Sequence, residues 1–178
     1  AIDRWVWYAG WADKYAQVIG NTNPVAGPFF NFSVPEPTGV VAAVAPQDAS
    51  ILGLVSVIAP IIVTGNAVIA MPSSSRPIPA ITLAECLATS DVPAGVVNIL
   101  TGAPAEVMPW LAEHADVNAL DLTGIVDEGV ATDLERSAAG TVKRVRGAAP
   151  HANWQATPSL SRMRAFVEVK TVWHPMGV

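Results

Sequence analysis

Cysteine is almost absent: Cys86 is the one thiol in 178 residues. A single thiol cannot close a disulfide within the chain, and no Cys/His cluster has metal-ligand spacing, so no metal site is expected. His114, His151 and His174 lie far apart, and each reads as a surface or supporting imidazole. Charge is also scarce, at 14% of residues, and 10 Lys plus Arg against 15 Asp plus Glu leave a net −5. Such a chain has no attraction for phosphate backbones, which excludes nucleic acid as a partner. No apolar run is long enough for a bilayer, which takes about 20 residues. The longest, 51–63, is broken by Pro60 and closed by Thr64-Gly65-Asn66, so it is expected to be a buried helix, with no membrane partner. The opening Ala1-Ile2-Asp3-Arg4-Trp5 has neither an initiator Met nor a signal-peptide layout. That suggests one part of a longer polypeptide, with a cytoplasmic location by default.

What is abundant is apolar surface, 51% of residues, enough for one domain with a core and some surface covered by other protein. Residues 3–19 read as a helix with Asp3 as N-cap. Its Trp5, Tyr8, Trp11, Ala12 and Tyr15 form one face at three- and four-residue spacing, as a core or subunit interface requires. Residues 29–34 read as a strand, which Pro35 and Pro37 demote to an edge or a connecting arm. From Gly39 the period changes. Residues 39–45 are a continuous apolar run of the kind buried on both faces of a parallel sheet. Then come helix 50–63, which Pro60 is expected to kink, strand 67–71, helix 78–89 opened near Pro77, strand 96–100, helix 104–113, strand 117–122, helix 128–139 and strand 142–146. Strand and helix alternating at these lengths specify an α/β, doubly wound parallel sheet, Rossmann-like, with right-handed crossovers. Residues 147–161 read as loop and 165–173 as a last strand. The organisation is thus a helix and connecting arm (1–38), a Rossmann-like cofactor-type domain (39–146), and a loop with a C-terminal strand (147–178).

Several stretches resemble the aldehyde dehydrogenase superfamily in order and spacing: Tyr8-Ala9-Gly10-Trp11-Ala12-Asp13-Lys14, Glu36-Pro37-Thr38-Gly39-Val40, Thr64-Gly65-Asn66-Ala67-Val68, and above all Val92-Pro93-Ala94-Gly95-Val96-Val97-Asn98-Ile99-Leu100-Thr101-Gly102. The ending Val169-Lys170-Thr171-Val172-Trp173-His174-Pro175-Met176-Gly177, after Lys143-Arg144, looks like the tail of the family-sixteen type. In that type a complete dehydrogenase is followed by a truncated second dehydrogenase-like domain, and this chain most resembles the second domain.

The departures from the family pattern bear on function. Aldehyde oxidation takes a thiolate nucleophile, a base and oxyanion donors. The family's Gly-Gln-x-Cys nucleophile stretch is missing, and Cys86 sits in the helical context Leu83-Ala84-Glu85-Cys86-Leu87-Ala88, which reads as a buried core cysteine. Where the family has a Pro-Trp-Asn turn whose amide serves the oxyanion, this chain has Pro46-Gln47-Asp48. An ionised Asp48 has no N–H to give and repels an oxyanion, although it can cap the following helix. The family's basic Glu follows a Lys-Arg-Val-like strand. Here Lys143-Arg144-Val145-Arg146 runs into Gly147-Ala148-Ala149-Pro150 with no carboxylate, leaving Arg146 as the degenerate position. At the family's ribose-binding Lys and Glu stand Met71 and Ser74, with Arg76 a surface arginine or, in the rival reading, a 2′-phosphate contact. At the Phe-Thr-Gly-Ser pyrophosphate turn, Leu122-Thr123-Gly124-Ile125 keeps Gly124 and puts Ile125 at the Ser.

Three functions follow as expectations. The first is a non-catalytic, pseudoenzyme-like domain that needs no cofactor. It would serve assembly with a catalytic aldehyde dehydrogenase domain or with copies of itself, using the aromatic first helix and strands 29–34 and 165–173 as contact surfaces. The second is a component of an NAD(P)-dependent aldehyde dehydrogenase, an oxidoreductase whose catalytic Cys is on another chain or domain. The third is a nucleotide-sensing module.

Overall fold

The computed structural model describes residues 1–177. The parallel sheet expected from the alternating pattern is present, with five strands: β3 (Val40–Val44), β4 (Ala67–Met71), β5 (Val97–Ile99), β6 (Ala119–Asp121) and β7 (Arg144–Arg146). Their order is β5-β4-β3-β6-β7, all parallel. The helices are α3 (Ser50–Ile62), α4 (Ile78–Ala88), α5 (Pro104–Glu113) and α6 (Glu128–Ala139). β3 shows why its run is apolar throughout. Val41, Ala43 and Ala45 pack against Leu54, Val57, Ile58 and Ile61 of α3 on one face. Ala42 and Val44 pack with Met108 and Ala112 of α5 and Leu134 and Ala138 of α6 on the other. A strand between two helical layers has no face to leave polar.

The first helix is shorter than its aromatic periodicity suggested. α1 (Ile2–Ala9) is capped by Ala1 with no side-chain hydrogen bond, so Asp3 is a first-turn residue, not the cap. The chain turns at Gly10, where Lys14 Nζ donates to the Gly10 carbonyl, and resumes as α2 (Tyr15–Ile19). The aromatic face survives the break: Trp5, Trp7, Trp11 and Tyr15 surround buried Tyr8 and pack on Val55 and Ala59 of α3.

A second sheet lies outside the Rossmann-like unit: β1 (Asn21–Asn23), β2 (Phe29–Pro37) and β8 (Val167–Pro175), antiparallel in the order β1-β2-β8. β2 is therefore the central strand, contrary to the edge or arm expected from its prolines. The reason lies in register. β1 reaches only Asn31 to Ser33 of β2, so Pro35 and Pro37 fall where β2 has one neighbour, β8, and no ladder partner loses a donor. Neither β1 nor the four-residue α7 (Ser161–Arg164) is announced by the local pattern.

The two sheets are joined by Arg144 of β7, whose guanidinium donates through Nε and Nη2 to the Glu168 carboxylate of β8. That hydrogen bonding holds the Glu168 carboxyl below, and the Arg144 guanidinium above, its ordinary value. A depressed carboxyl contributes stability above its unfolded pKa and loses it as pH falls through the folded value. The pair is half exposed, so Glu168→Gln is expected to cost at most about 1 kcal/mol, or about 2–4 °C in Tm, at neutral pH. In melts recorded from pH 7 to 3 the difference should shrink as pH falls.

Candidate functional site

In an open parallel sheet, ligands bind beyond the carboxyl ends of the strands where the strand order reverses. Here that place lies between β3 and β6, whose outgoing segments are Ala45-Pro46-Gln47-Asp48 and Leu122-Thr123-Gly124-Ile125. A cleft of about 200 Å³ sits there, lined by Pro46, Gln47, Asp48, Gly124, Val126, Pro150 and His151. The structure therefore gathers Asp48 and Gly124 into one cleft, and adds Gln47 and His151, which local patterning does not single out.

The two outgoing segments touch. Gly124 N–H donates to the Val44 carbonyl at 2.9 Å. A Cβ on Gly124 would lie 2.1 Å from the Ala45 carbonyl oxygen. This glycine is thus required by close packing of backbone on backbone, and its amide is already engaged. Ile125 is buried among Ala131, Leu134 and Leu122, so the apolar replacement fills the core beneath the turn.

Gln47 closes the neighbouring side. Its Nε2 donates to the Ala45 carbonyl at 2.8 Å. Its Oε1 accepts from Ser74 N at 2.9 Å and from Ser74 Oγ at 3.1 Å, and its backbone carbonyl accepts from Ser73 Oγ at 2.8 Å. The segment after β4 is thereby tied to the segment after β3. Met71 is fully buried in the core, so its side chain does not reach the cleft. Asp48 is exposed and does not cap α3: Ala49 holds the cap position with no side-chain bond, and the Asp48 carbonyl faces Arg76 Nη1 at 3.5 Å. Arg76 is a surface residue.

Cys86 corrects the expectation of a buried core cysteine: its side chain is exposed. Residues of α4 are apolar nearly all round, so composition does not mark the inner face. Ala80 and Leu83 take that face, which leaves Cys86 outside with Thr82 and Glu85. Nor is the thiol near the cleft. α4 starts at the carboxyl edge of the sheet and runs back, and eight residues at 1.5 Å rise carry Cys86 about 12 Å away from that edge.

Behind the cleft lies a buried ion pair that pattern reading missed. Asp121, at the end of β6 and fully buried, accepts from Thr123 N at 3.0 Å and from Thr123 Oγ1. It also accepts from Arg162 Nη1 of α7 at 3.1 Å. Arg162 Nη2 reaches Thr123 Oγ1 at 3.2 Å, and the guanidinium stacks on Trp154 with 4.8 Å between Cζ and the ring centroid. Arg146 lies directly across the β6–β7 ladder from Asp121 and forms no bond through Nε. The only sequence signal was an Asp inside the otherwise apolar strand Ala119-Leu120-Asp121-Leu122.

Residues 1–148 match the sequence profile of the aldehyde dehydrogenase family. Mitochondrial aldehyde dehydrogenase of Rattus norvegicus is 35% identical over 141 residues, 78% of this chain and 26% of that protein. Retinal dehydrogenase 2 of Gallus gallus is 36% identical over 141 residues, again 78% and 26%. Among solved structures, the NAD+ complex of an aldehyde dehydrogenase from Bacillus cereus superposes with a TM-score of 0.71 at 26% identity, covering 78% of this chain and 27% of that one. An aldehyde dehydrogenase from Brucella melitensis biovar abortus gives 0.68 at 27% identity, covering 78% and 28%. The chain spans about a quarter of the length of the curated relatives it matches.

Proposed function

Since the chain belongs to the aldehyde dehydrogenase family, we propose that it is a non-catalytic member domain whose role is assembly. The reading rests chiefly on one observation: the crevice where this fold takes its ligand is a cleft of only about 200 Å³ whose polar groups are engaged in internal hydrogen bonds, with Gly124 N–H on Val44 and Gln47 on Ser74. A dinucleotide needs free amides at the pyrophosphate and polar partners at the ribose. These residues do not fit one: Met71 and Ile125 are core side chains and Ser74 is bonded to Gln47. The single thiol lies on the outer face of α4, away from that crevice.

Assembly is supported by the second sheet. β8 pairs with β2 along one side over nine residues, and among the described residues its other side is a free edge of the kind that recruits another chain. Around it Trp173 (58% exposed), Val169 (54%) and Phe30 (45%) offer apolar surface of the sort that protein interfaces bury. The partner is a catalytic aldehyde dehydrogenase domain or a second copy, and the site is cytoplasmic.

The test is NADH production from NAD and a simple aldehyde, by the chain alone and mixed with a complete aldehyde dehydrogenase. The chain alone should give none, and Cys86→Ser should change neither measurement. Turnover by the isolated chain that Cys86→Ser removes would overturn the proposal. Light scattering after size exclusion should show a species larger than one chain, with or without added partner, and Val169→Lys with Trp173→Lys should reduce it to one chain. A second reading keeps the chain as a component of an NAD(P)-dependent enzyme whose thiol is supplied by another chain. It is favoured by the Bacillus cereus relative, which is an NAD+ complex. Micromolar NAD affinity in calorimetry, about −8 kcal/mol, would select it; affinity no tighter than millimolar leaves the first. Micromolar affinity for NAD or ATP with no turnover in any mixture would select the nucleotide-sensing module instead.

A further inference from the structure

The antiparallel sheet has two edges of different kinds. Its order is β1-β2-β8, and β1, with three residues, is too short to template another strand. β8 runs nine residues, and among the described residues its side away from β2 has no neighbouring strand. The pairing with β2 fixes which backbone groups that side presents. Thr38 N–H donates to the Phe166 carbonyl, and Met176 N–H donates to the Pro28 carbonyl. Even-numbered residues of this stretch therefore turn their N–H and C=O toward β2, and the residues between them turn theirs away. The backbone groups of Val169, Thr171 and Trp173 point off the free edge.

Nothing in β8 guards that edge. Sheet edges are commonly blunted by a proline, a bulge or a charged side chain. The register with β2 runs unbroken from Phe29 opposite Pro175 to Pro37 opposite Val167, so β8 has no bulge, and its one proline is its last residue. Lys170 turns across its own sheet, with Nζ 3.2 Å from Glu36 Oε1 of β2. Glu168 is held by Arg144. What the edge presents on either side of exposed Thr171 is apolar: Val169 and Trp173 are both exposed, and with Thr171 they share one face of the sheet.

We propose that β8 is the seam of a two-fold dimer, its free edge pairing antiparallel with the same edge of a second copy, centred on Thr171. This rests on the assembly reading above and names the partner as a second copy. The edge is complementary to itself about that centre. Val169 then stands opposite the second copy's Trp173, twice over, and a β-branched residue against an aromatic is a favoured cross-strand pair. On the other face of the sheet Glu168 meets His174, a carboxylate against a ring N–H. Other centres fit worse. About Lys170, two lysines stand directly opposite, and like charges there destabilise. About Val172 or Trp173, Pro175 takes the place of a needed donor. About Val169, the ladder must include Val167, which is 3% exposed, and the helical turn at Ala165.

The experiment is size exclusion with light scattering on the whole chain and on Thr171→Pro. The Thr171 N–H points away from β2, so proline there removes no bond of the existing ladder. It removes the donor at the centre of the seam, and should shift the mass from two chains to one at equal concentration. Thr171→Cys in a Cys86→Ser background gives an independent reading. On the two-fold axis the thiols come within disulfide reach, about 5.5 Å between Cα atoms, and oxidation should give a covalent dimer. His174→Cys in the same background should give none, since the two copies of that position lie roughly 20 Å apart along the strands. If Thr171→Pro does not fold, the two cysteine variants carry the test. A mass of one chain for the unaltered protein overturns the pairing and leaves assembly to a catalytic partner domain. A mass of two chains that Thr171→Pro leaves unchanged, or cross-linking by His174→Cys as readily as by Thr171→Cys, overturns the pairing while assembly stands on another surface.

Discussion

Gly124→Ala is expected to leave the protein unfolded or insoluble at room temperature. A Cβ there would stand 2.1 Å from the Ala45 carbonyl oxygen, 2.5 Å from the Ala45 carbonyl carbon and 2.7 Å from the Val44 oxygen. All three are backbone atoms at the end of the most buried strand, so no side-chain rotation relieves the clash. The two outgoing segments must separate, which breaks the Gly124–Val44 hydrogen bond and lifts Ile125 from the core. Losing that packing together with a buried backbone bond costs several kcal/mol, against a total stability of about 5–15 kcal/mol. Far-UV circular dichroism and a thermal melt measure it. The result also separates two roles for the glycine. If Gly124 is kept for a pyrophosphate, the alanine variant folds normally and loses only ligand. A soluble variant with an unchanged melt would show that the segments are not in contact as described.

The fold was legible wherever burial on both faces forced an unbroken apolar run. β3, β4 and the helices after them stand out because every residue of such a strand meets a helix. α5 and α6 start where expected because Pro104 opens the first and Asp127, which caps through Val130 N, precedes the second, and both are local signals. What failed depended on distant partners. The place of β2 in its sheet is set by how far β1 reaches along it, and no local pattern encodes that. The face of α4 that Cys86 occupies is set by the sheet it lies on, since the helix is apolar almost all round. The candidate crevice was half visible. Asp48 and Gly124, like the replaced positions Met71 and Ser74, were marked by the resemblance to the family, yet the side chain that ties the neighbouring segments together, Gln47, acts through bonds to Ser74, 27 positions away. Asp121 and Arg162 are separated by 41 positions and can only be paired in three dimensions.

Breaking that pair is the second large effect expected. Asp121→Ala should cost about 3–5 kcal/mol, because it strands Arg162 in a buried site with Arg146 across the ladder and no carboxylate to face. Burial already pushes the Arg162 guanidinium below its ordinary value, with the charge of Asp121 opposing and that of Arg146 adding to the push. Removing Asp121 takes away the largest opposing contribution and its hydrogen bond, leaving burial and Arg146 opposed only by Tyr8. Thr123 loses a partner as well, since both its amide and its hydroxyl donate to Asp121. The cost belongs to the stranded charge more than to the bond, so removing both ions should recover most of it. Asp121→Leu with Arg162→Met is expected to be more stable than either single change, by a coupling of about 2–3 kcal/mol in a double-mutant cycle. Additive single effects in urea denaturation would mean that Arg162 finds water once Asp121 is gone and that α7 is not fixed to the sheet by this pair. A strong coupling would mean that the segment carrying Trp154 and α7 is fastened to the parallel sheet by charge, beyond the 148 residues that match the family.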